Sequence, residues 1–187
     1  QRQMCIRDRS DSYPYIPKVE QLLDSKHLLE ASEGARVVYV NRDDDKVEIP
    51  PLLFKKANGA YMYPATDLGS IYQRVEDYNP DHILYVVDNR QALHFEQVFR
   101  TCQLSGLIDE SKLEHLGYGT VNGLDGKPYK TRSGDTPKLQ NLFEQVKEIF
   151  ESAKEENKNK SESDKNIIVN SILKFADLQN SRESCLL

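Results

Sequence analysis

The sequence contains few cysteines, and these are widely separated. Its three cysteines, Cys5, Cys102 and Cys185, form no Cys-x-x-Cys pair. Zinc sites and disulfide frameworks are built from closely spaced or paired cysteines, so the sequence predicts neither. The same usage is typical of proteins in a reducing compartment, and we therefore expect a cytoplasmic location.

The sequence also lacks an apolar run of membrane-spanning length and a secretory signal. Its formal net charge of −5 gives no support to broad, non-specific nucleic-acid binding, although a local basic patch could still contact a nucleic acid. A length of 187 residues suits one domain, or one domain and part of another, and is sufficient to bury a core.

The most informative segment is a glycine-rich, cationic loop at residues 123–134, which reads GLDGKPYKTRSG. It carries three cationic side chains, Lys127, Lys130 and Arg132. Such a loop suits a polyanion such as a triphosphate, because lysine and arginine neutralise charge that develops on phosphate oxygens. On composition alone, a solvated lysine-rich hairpin is the simpler explanation.

The first third of the chain predicts a small, mostly antiparallel unit. An amphipathic helix is expected within residues 12–29, after a proline-rich entry. Strands are expected at 36–40, 52–55 and 60–63, with a turn at Asn58-Gly59 before the last of them.

Helical and strand-like patterns then alternate, which predicts an α/β layer. A helix is expected from Thr66, with Thr66 or Asp67 as its cap. The continuous apolar run at 82–87 predicts a parallel strand covered on both faces. Another helix is predicted at 92–104 and another strand within 113–121. The inward-facing residues of the 92–104 helix are predicted to be Leu93, Val98 and Cys102.

The last part of the sequence predicts two helices separated by a polar linker. Thr136-Pro137 opens a long helix, residues 154–165 form a polar linker or a frayed helix end, and 166–179 form the second helix. The predicted core face of the first helix consists of Leu139, Leu142, Phe143, Val146, Ile149 and Phe150.

Four segments together resemble the arginyl-tRNA synthetases, which are class I enzymes. In that family a Gly-Lys-Pro-aromatic-Lys-Thr-Arg-x-Gly loop replaces the more usual Lys-Met-Ser-Lys signature, and the similarity extends from about Asp11 to Ser184. The segments occur in the family's order, at 61–67, 85–94, 113–119 and 123–134.

The resemblance implies an α/β fold, the second half of a Rossmann-like class I synthetase catalytic domain. A small antiparallel β unit would precede it, and the start of an all-α region would follow. We expect a non-native leader at 1–10, a connecting unit at 11–65, the catalytic half at 66–153, and a linker with the first helix of the next region at 154–187.

The resemblance also implies a pocket for arginine. Tyr63 and Asp67 match the pair that recognises the arginine side chain, and Gln91 matches a residue near the amino-acid substrate. A carboxylate can accept two parallel hydrogen bonds from a guanidinium, which is the role expected of Asp67. The alternative is that Asp67 only caps a helix and that Tyr63 belongs to the core.

His94, His115, Gly117 and Gly119 are implied to lie near ATP. Glycines at the last two positions would allow the backbone to approach the adenine closely. For His94 the alternatives are a residue that orients its neighbours and a structural histidine. For His115, Gly117 and Gly119 the alternative is a glycine-rich strand end. In the loop, Lys127, Lys130 and Arg132 are the expected catalytic residues, and Lys130 and Arg132 are expected to bind the ATP phosphates.

The implied reaction is ATP-dependent activation of L-arginine to arginyl-adenylate, followed by transfer to tRNA(Arg). Mg²⁺ would be bound through the ATP phosphates, with no protein metal site, and the parent enzyme would be monomeric and independent of membranes. The family's His-x-Gly-His signature is absent from this sequence, so we expect an internal fragment that is inactive alone. The alternatives are another nucleotidyl-transferring enzyme with a similar loop, and a non-catalytic synthetase-like binding domain.

Overall fold

The computed structural model describes residues 9–120, 139–179 and 181. The chain divides into two compact units, Gln1–Gly117 and Tyr118–Leu187. The described part of the first unit combines helices and strands, and the second unit is helical from Leu139 onward. No helix in these described ranges is long and apolar enough to cross a membrane.

The first unit opens with a 3-10 helix at Arg9–Tyr15, which continues into α1 at Ile16–Ser25. Pro17 lies in the first turn of α1, where its missing N–H costs no helical hydrogen bond. The predicted amphipathic helix after a proline-rich entry is therefore confirmed. Its buried face repeats at three- and four-residue intervals and consists of Ile16, Val19 and Leu23.

A three-stranded antiparallel sheet follows, in the order β1-β2-β3. Its strands are β1 (Glu30–Ser32), β2 (Ala35–Val38) and β3 (Leu52–Lys55). Glu33 and Gly34, which join β1 to β2, both have positive φ angles of 49° and 79°. A two-residue hairpin turn of this kind suits the twist of the strands. The sequence predicted β2 and β3 but not β1, whose three residues are too few to show a pattern.

The strand predicted at residues 60–63 is wrong. Only Tyr61 pairs, through an isolated antiparallel bridge with Lys55. The turn before it is confirmed, since the Gly59 amide donates to the Lys56 carbonyl at 2.9 Å and Gly59 has a φ of 83°.

Helix α2 spans Tyr63–Tyr78 and begins earlier than predicted. Pro64 occupies its first turn, and the N-cap position belongs to Met62, which has extended backbone. Thr66 therefore lies inside the helix rather than at its cap. The proline explains the early start, because its fixed φ is already helical. The helix ends at Asn79, which adopts the left-handed conformation with a φ of 42°.

The predicted α/β alternation is confirmed by three further elements. Strand β4 covers Ile83–Asp88, helix α3 covers Ala92–Ser105, and β5 covers Leu113–Tyr118. β4 and β5 are neighbours in one parallel sheet and are connected through α3. Short 3-10 helices lie at Asn89–Gln91 and Glu110–Lys112.

Two burial predictions in this region are wrong. β4 was predicted to be covered on both faces, but Leu84 and Val86 are 52 % and 66 % exposed. In α3, Val98 and Cys102 are buried as predicted, whereas Leu93 is 50 % exposed. Periodicity shows which face is apolar, but burial also requires another element to lie against that face.

The core of the first unit is contributed by both of its sheets and by α1, α2 and α3. The aromatic rings of Tyr85, Phe95 and Phe99 contact one another, with centroid distances of 4.9 to 5.6 Å. The fully buried large side chains include Phe54, Ile16, Leu23, Leu52, Leu68 and Ile71.

The second unit contains α4 (Leu139–Ala153), α5 (Glu155–Lys158) and α6 (Glu162–Leu178). Both predicted helices are confirmed, although the predicted start at Thr136-Pro137 lies outside the described residues. The segment predicted as a linker, 154–165, is partly helical, because it contains α5 and the first turn of α6, which begins at Glu162. The predicted core face of α4 is wrong, because no α4 residue that the structure describes is buried. The domain boundaries expected from the sequence stay predictions.

Candidate functional site

The candidate site lies where β4 ends and α3 begins, next to the first turns of α2. The carboxyl ends of parallel strands are where open α/β sheets bind ligands. Helix N-termini also carry unpaired N–H groups and a partial positive charge. The topology thus brings polar residues from α2 and α3 to one end of the sheet.

Asp67 and His94 form the central contact of the site. Their Oδ2 and Nε2 atoms are 2.7 Å apart, and the two residues are 27 positions apart in the sequence. Asp67 is only 8 % exposed, so its carboxylate needs hydrogen-bond partners. The contact joins the second turn of α2 to the first turn of α3.

Both structural alternatives for Tyr63 and Asp67, the residues expected to bind the arginine side chain, are wrong. Asp67 does not cap α2, because Met62 is the N-cap residue and no side chain bonds the cap. Tyr63 does not belong to the core, because it is 67 % exposed. The two residues are four positions apart on one helix, so their side chains project from the same face.

Gln91 is exposed and ends the 3-10 helix between β4 and α3. It precedes His94 by one helical turn, so both side chains belong to the start of α3. The neighbouring Asp88 and Arg90 form a local pair, in which the arginine donates to the Asp88 carboxylate at 2.6 Å. This hydrogen bonding holds the pKa of Asp88 below its ordinary value, despite its partial burial.

His115 is held between β4 and α3. Its Nε2 atom is 3.2 Å from the Val87 carbonyl oxygen. Its ring stacks on Phe95 at a centroid distance of 5.1 Å and an interplanar angle of 27°. Phe95 also meets the His94 ring edge-on at 5.2 Å. The sequence analysis did not identify Phe95, because a phenylalanine in a periodic apolar helix is indistinguishable from any other core residue.

Gly117 lies against the side chain of Asn89. A Cβ atom at position 117 would stand 1.7 Å from Asn89 Oδ1 and 3.2 Å from His115 Cε1. A larger residue therefore requires Asn89 to move. Asn89 was not predicted as a site residue, and only its position directly after an apolar strand could have indicated it. Gly119 belongs to the other unit, and its role near adenine stays a prediction.

The predicted phosphate loop lies outside the described residues, and so do Lys127, Lys130 and Arg132. Their catalytic and ATP-binding roles stay predictions. Within the part of the chain that is described, no group of three or more histidine, cysteine, aspartate or glutamate residues could hold a metal ion. Mg²⁺ bound through ATP phosphates also stays a prediction.

Residues 4–185 match a family model that is described as "tRNA synthetases class I (R), catalytic domain", where R is the one-letter code for arginine. The arginine–tRNA ligase of Agathobacter rectalis is 37 % identical over 185 residues, which is 93 % of this chain and 31 % of that protein. The ligase of Hyphomonas neptunium is 47 % identical over 138 residues, which is 73 % of this chain and 23 % of that protein. The chain thus spans less than a third of these curated relatives.

A solved structure has the same fold. The crystal structure of arginyl-tRNA synthetase from Plasmodium falciparum aligns with a TM-score of 0.71 at 25 % identity. The alignment covers 98 % of this chain and 31 % of that structure.

Proposed function

Because this chain belongs to the family of class I arginyl-tRNA synthetase catalytic domains, we propose that it supplies the arginine pocket and the phosphate-binding loop of an arginine–tRNA ligase. The parent protein activates L-arginine with ATP, which yields arginyl-adenylate and pyrophosphate, and then transfers arginine to tRNA(Arg). It acts as a cytoplasmic monomer.

The observation that carries this proposal is the buried carboxylate of Asp67 at the carboxyl end of the sheet, with a partner at 2.7 Å. A guanidinium is planar and presents paired N–H donors, which a fixed carboxylate accepts well. The Tyr63 hydroxyl and the Gln91 amide add neutral polar groups at the start of the same helices. Together they select a cationic, hydrogen-bonding side chain over an apolar one.

The adenine of ATP would approach the backbone of His115 and Gly117 in β5 and of Gly119 after it. Lys127, Lys130 and Arg132 would neutralise charge on the phosphates as pyrophosphate leaves, and Mg²⁺ bound to those phosphates would share that task.

The test uses a chimera in which this chain replaces the matched segment of the Agathobacter rectalis ligase. We expect arginine-dependent exchange of pyrophosphate into ATP by the chimera and none by the 187-residue chain alone. Asp67→Asn should lower kcat/KM for arginine roughly 100-fold, as expected for the loss of one partner of a buried charged pair. Asp44→Asn, an exposed carboxylate of the first unit, is the matched control and should change little.

The loop is tested in the same chimera. Lys130→Ala and Arg132→Ala should slow adenylate formation more than they weaken arginine binding, since their charges act on the phosphates in the transition state. Equal losses in both would count against the proposed role of the loop. Exchange that depends on an amino acid other than arginine would indicate a different nucleotidyl-transferring enzyme, and arginine binding without exchange would indicate a binding domain.

A further inference from the structure

We propose that His94 is a positioning residue, which holds the Asp67 carboxylate in the orientation that receives the arginine guanidinium. The sequence left open whether His94 touches ATP or orients its neighbours, and its Nε2 atom is directed at Asp67 Oδ2. This inference rests on the proposed function, because it assigns to His94 a part in the same arginine pocket.

The geometry supplies the first argument. The aspartate side chain has two torsions, and the hydrogen bond between His94 Nε2 and Asp67 Oδ2 at 2.7 Å restrains both of them. His94 can provide that bond because its own ring is held in place by the edge contact with Phe95 at 5.2 Å. Phe95 is itself 4 % exposed. A buried core residue therefore contacts the imidazole, and the imidazole contacts the carboxylate. Groups that orient a binding side chain in this way preserve its geometry before the ligand arrives.

The chemistry of the imidazole supplies the second argument. The imidazole ring has two nitrogen atoms, and Nε2 is engaged by the Asp67 carboxylate at 2.7 Å. Only Nδ1 is then left for any other group. The contact with Asp67 thus favours a role in the amino-acid pocket over one at the phosphates.

The test is a set of substitutions in the same chimera. Glutamine can place its amide nitrogen near the position of Nε2, whereas the shorter asparagine cannot, so His94→Gln and His94→Asn form a matched pair. His94→Leu and His94→Asn should raise KM for arginine about tenfold, the effect expected when a hydrogen bond to a charged group is lost. We expect His94→Gln to stay within about threefold of the parent, and KM for ATP to change less than about twofold in all three.

A double-mutant cycle provides the second readout. If His94 acts through Asp67, His94→Leu should add less than about twofold to the loss caused by Asp67→Asn, because the two substitutions share one interaction. Discrimination against citrulline, whose neutral ureido group replaces the guanidinium, should weaken in His94→Leu and recover in His94→Gln. Melting curves of each chimera show whether it is folded. If His94→Leu is not folded, the comparison of His94→Gln with His94→Asn tests the inference by itself.

Three results would overturn the inference. The first is that His94→Gln and His94→Asn raise KM for arginine equally. The second is that His94→Leu raises KM for arginine as much in the Asp67→Asn background as in the unmodified chimera. The third is that the His94 substitutions raise KM for ATP but not KM for arginine. Failure of the proposed function is a different outcome, since the unmodified chimera would then show no arginine-dependent exchange or Asp67→Asn would have no effect on arginine.

Discussion

Gly69 offers a prediction whose sign depends on the tertiary structure. It lies inside α2, where replacing glycine by alanine normally stabilises a helix by about 1 kcal/mol. Here a Cβ atom would stand 3.0 Å from the Ser12 carbonyl oxygen and 3.2 Å from Ile16 Cγ1. The added methyl group would therefore meet backbone of the preceding 3-10 helix and a buried side chain of α1.

The expected effect of Gly69→Ala is the difference between these two contributions. Inserting a methyl group into a filled contact costs about 1–3 kcal/mol, because neighbouring atoms must shift. The higher helix propensity of alanine offsets about 1 kcal/mol of this cost. We therefore expect a net loss of about 1 kcal/mol in the free energy of unfolding of the first unit, where an exposed glycine would show a gain.

The assay is urea unfolding followed by far-UV circular dichroism, because the sequence contains no tryptophan for fluorescence. Ser70→Ala, at the next position of the same helix, combines a gain in helix propensity with the loss of the hydrogen bond from the Ser70 hydroxyl to the Thr66 carbonyl at 2.9 Å. These two effects oppose each other, so this control should change the free energy by less than about 1 kcal/mol. A clear stabilisation by Gly69→Ala would refute the reasoning, since it would mean that the 3-10 helix and α1 move aside without cost.

Two further predictions concern buried ionisable groups. Burial alone would raise the pKa of Glu20, but hydrogen bonds from Tyr61 and Lys55 hold it below its ordinary value of 4.5. The stabilisation by ionised Glu20 should be complete above that value and disappear as the pH falls through the lower folded pKa. The difference in melting temperature between the chain and Glu20→Gln should therefore shrink as the pH falls below 4.5. A difference that stays unchanged would contradict this. Burial raises the pKa of the Cys102 thiol, and its side chain is inaccessible. Iodoacetamide at pH 8 should therefore modify the Cys102 peptide only after denaturation, and rapid modification of the native chain, measured by peptide mass spectrometry, would argue against this burial.

The order of elements could be predicted because it is a local property of the sequence. Apolar periodicity located α3, β3 and the two long helices of the second unit, and Asn58-Gly59 marked a real turn. The start of α2 was misplaced because Thr66 and Asp67 suit a helix cap, while the proline at 64 starts the helix earlier. Propensity identifies residues that can cap a helix, but the position of the helix decides which residue does.

Burial was less predictable than secondary structure. The apolar faces of α4 and β4 were expected to be covered, yet Leu139, Ile149 and Val86 are 76 %, 67 % and 66 % exposed. A periodic pattern records that a face is apolar. It does not record which segment covers that face, because coverage depends on parts of a structure that are remote in sequence.

The sequence by itself determined the family and the α/β alternation, because motif order and periodicity can be read along the chain, and the roles that it assigned to the site residues stay predictions. Only the tertiary structure decided that Asp67 contacts His94, that Phe95 supports His94 and His115, and that Asn89 fills the space beside Gly117. These contacts join residues from α2, α3, β5 and the 3-10 helix at Asn89–Gln91. Such pairings follow from how the helices pack at the end of the sheet, and packing depends on distances that no local pattern contains.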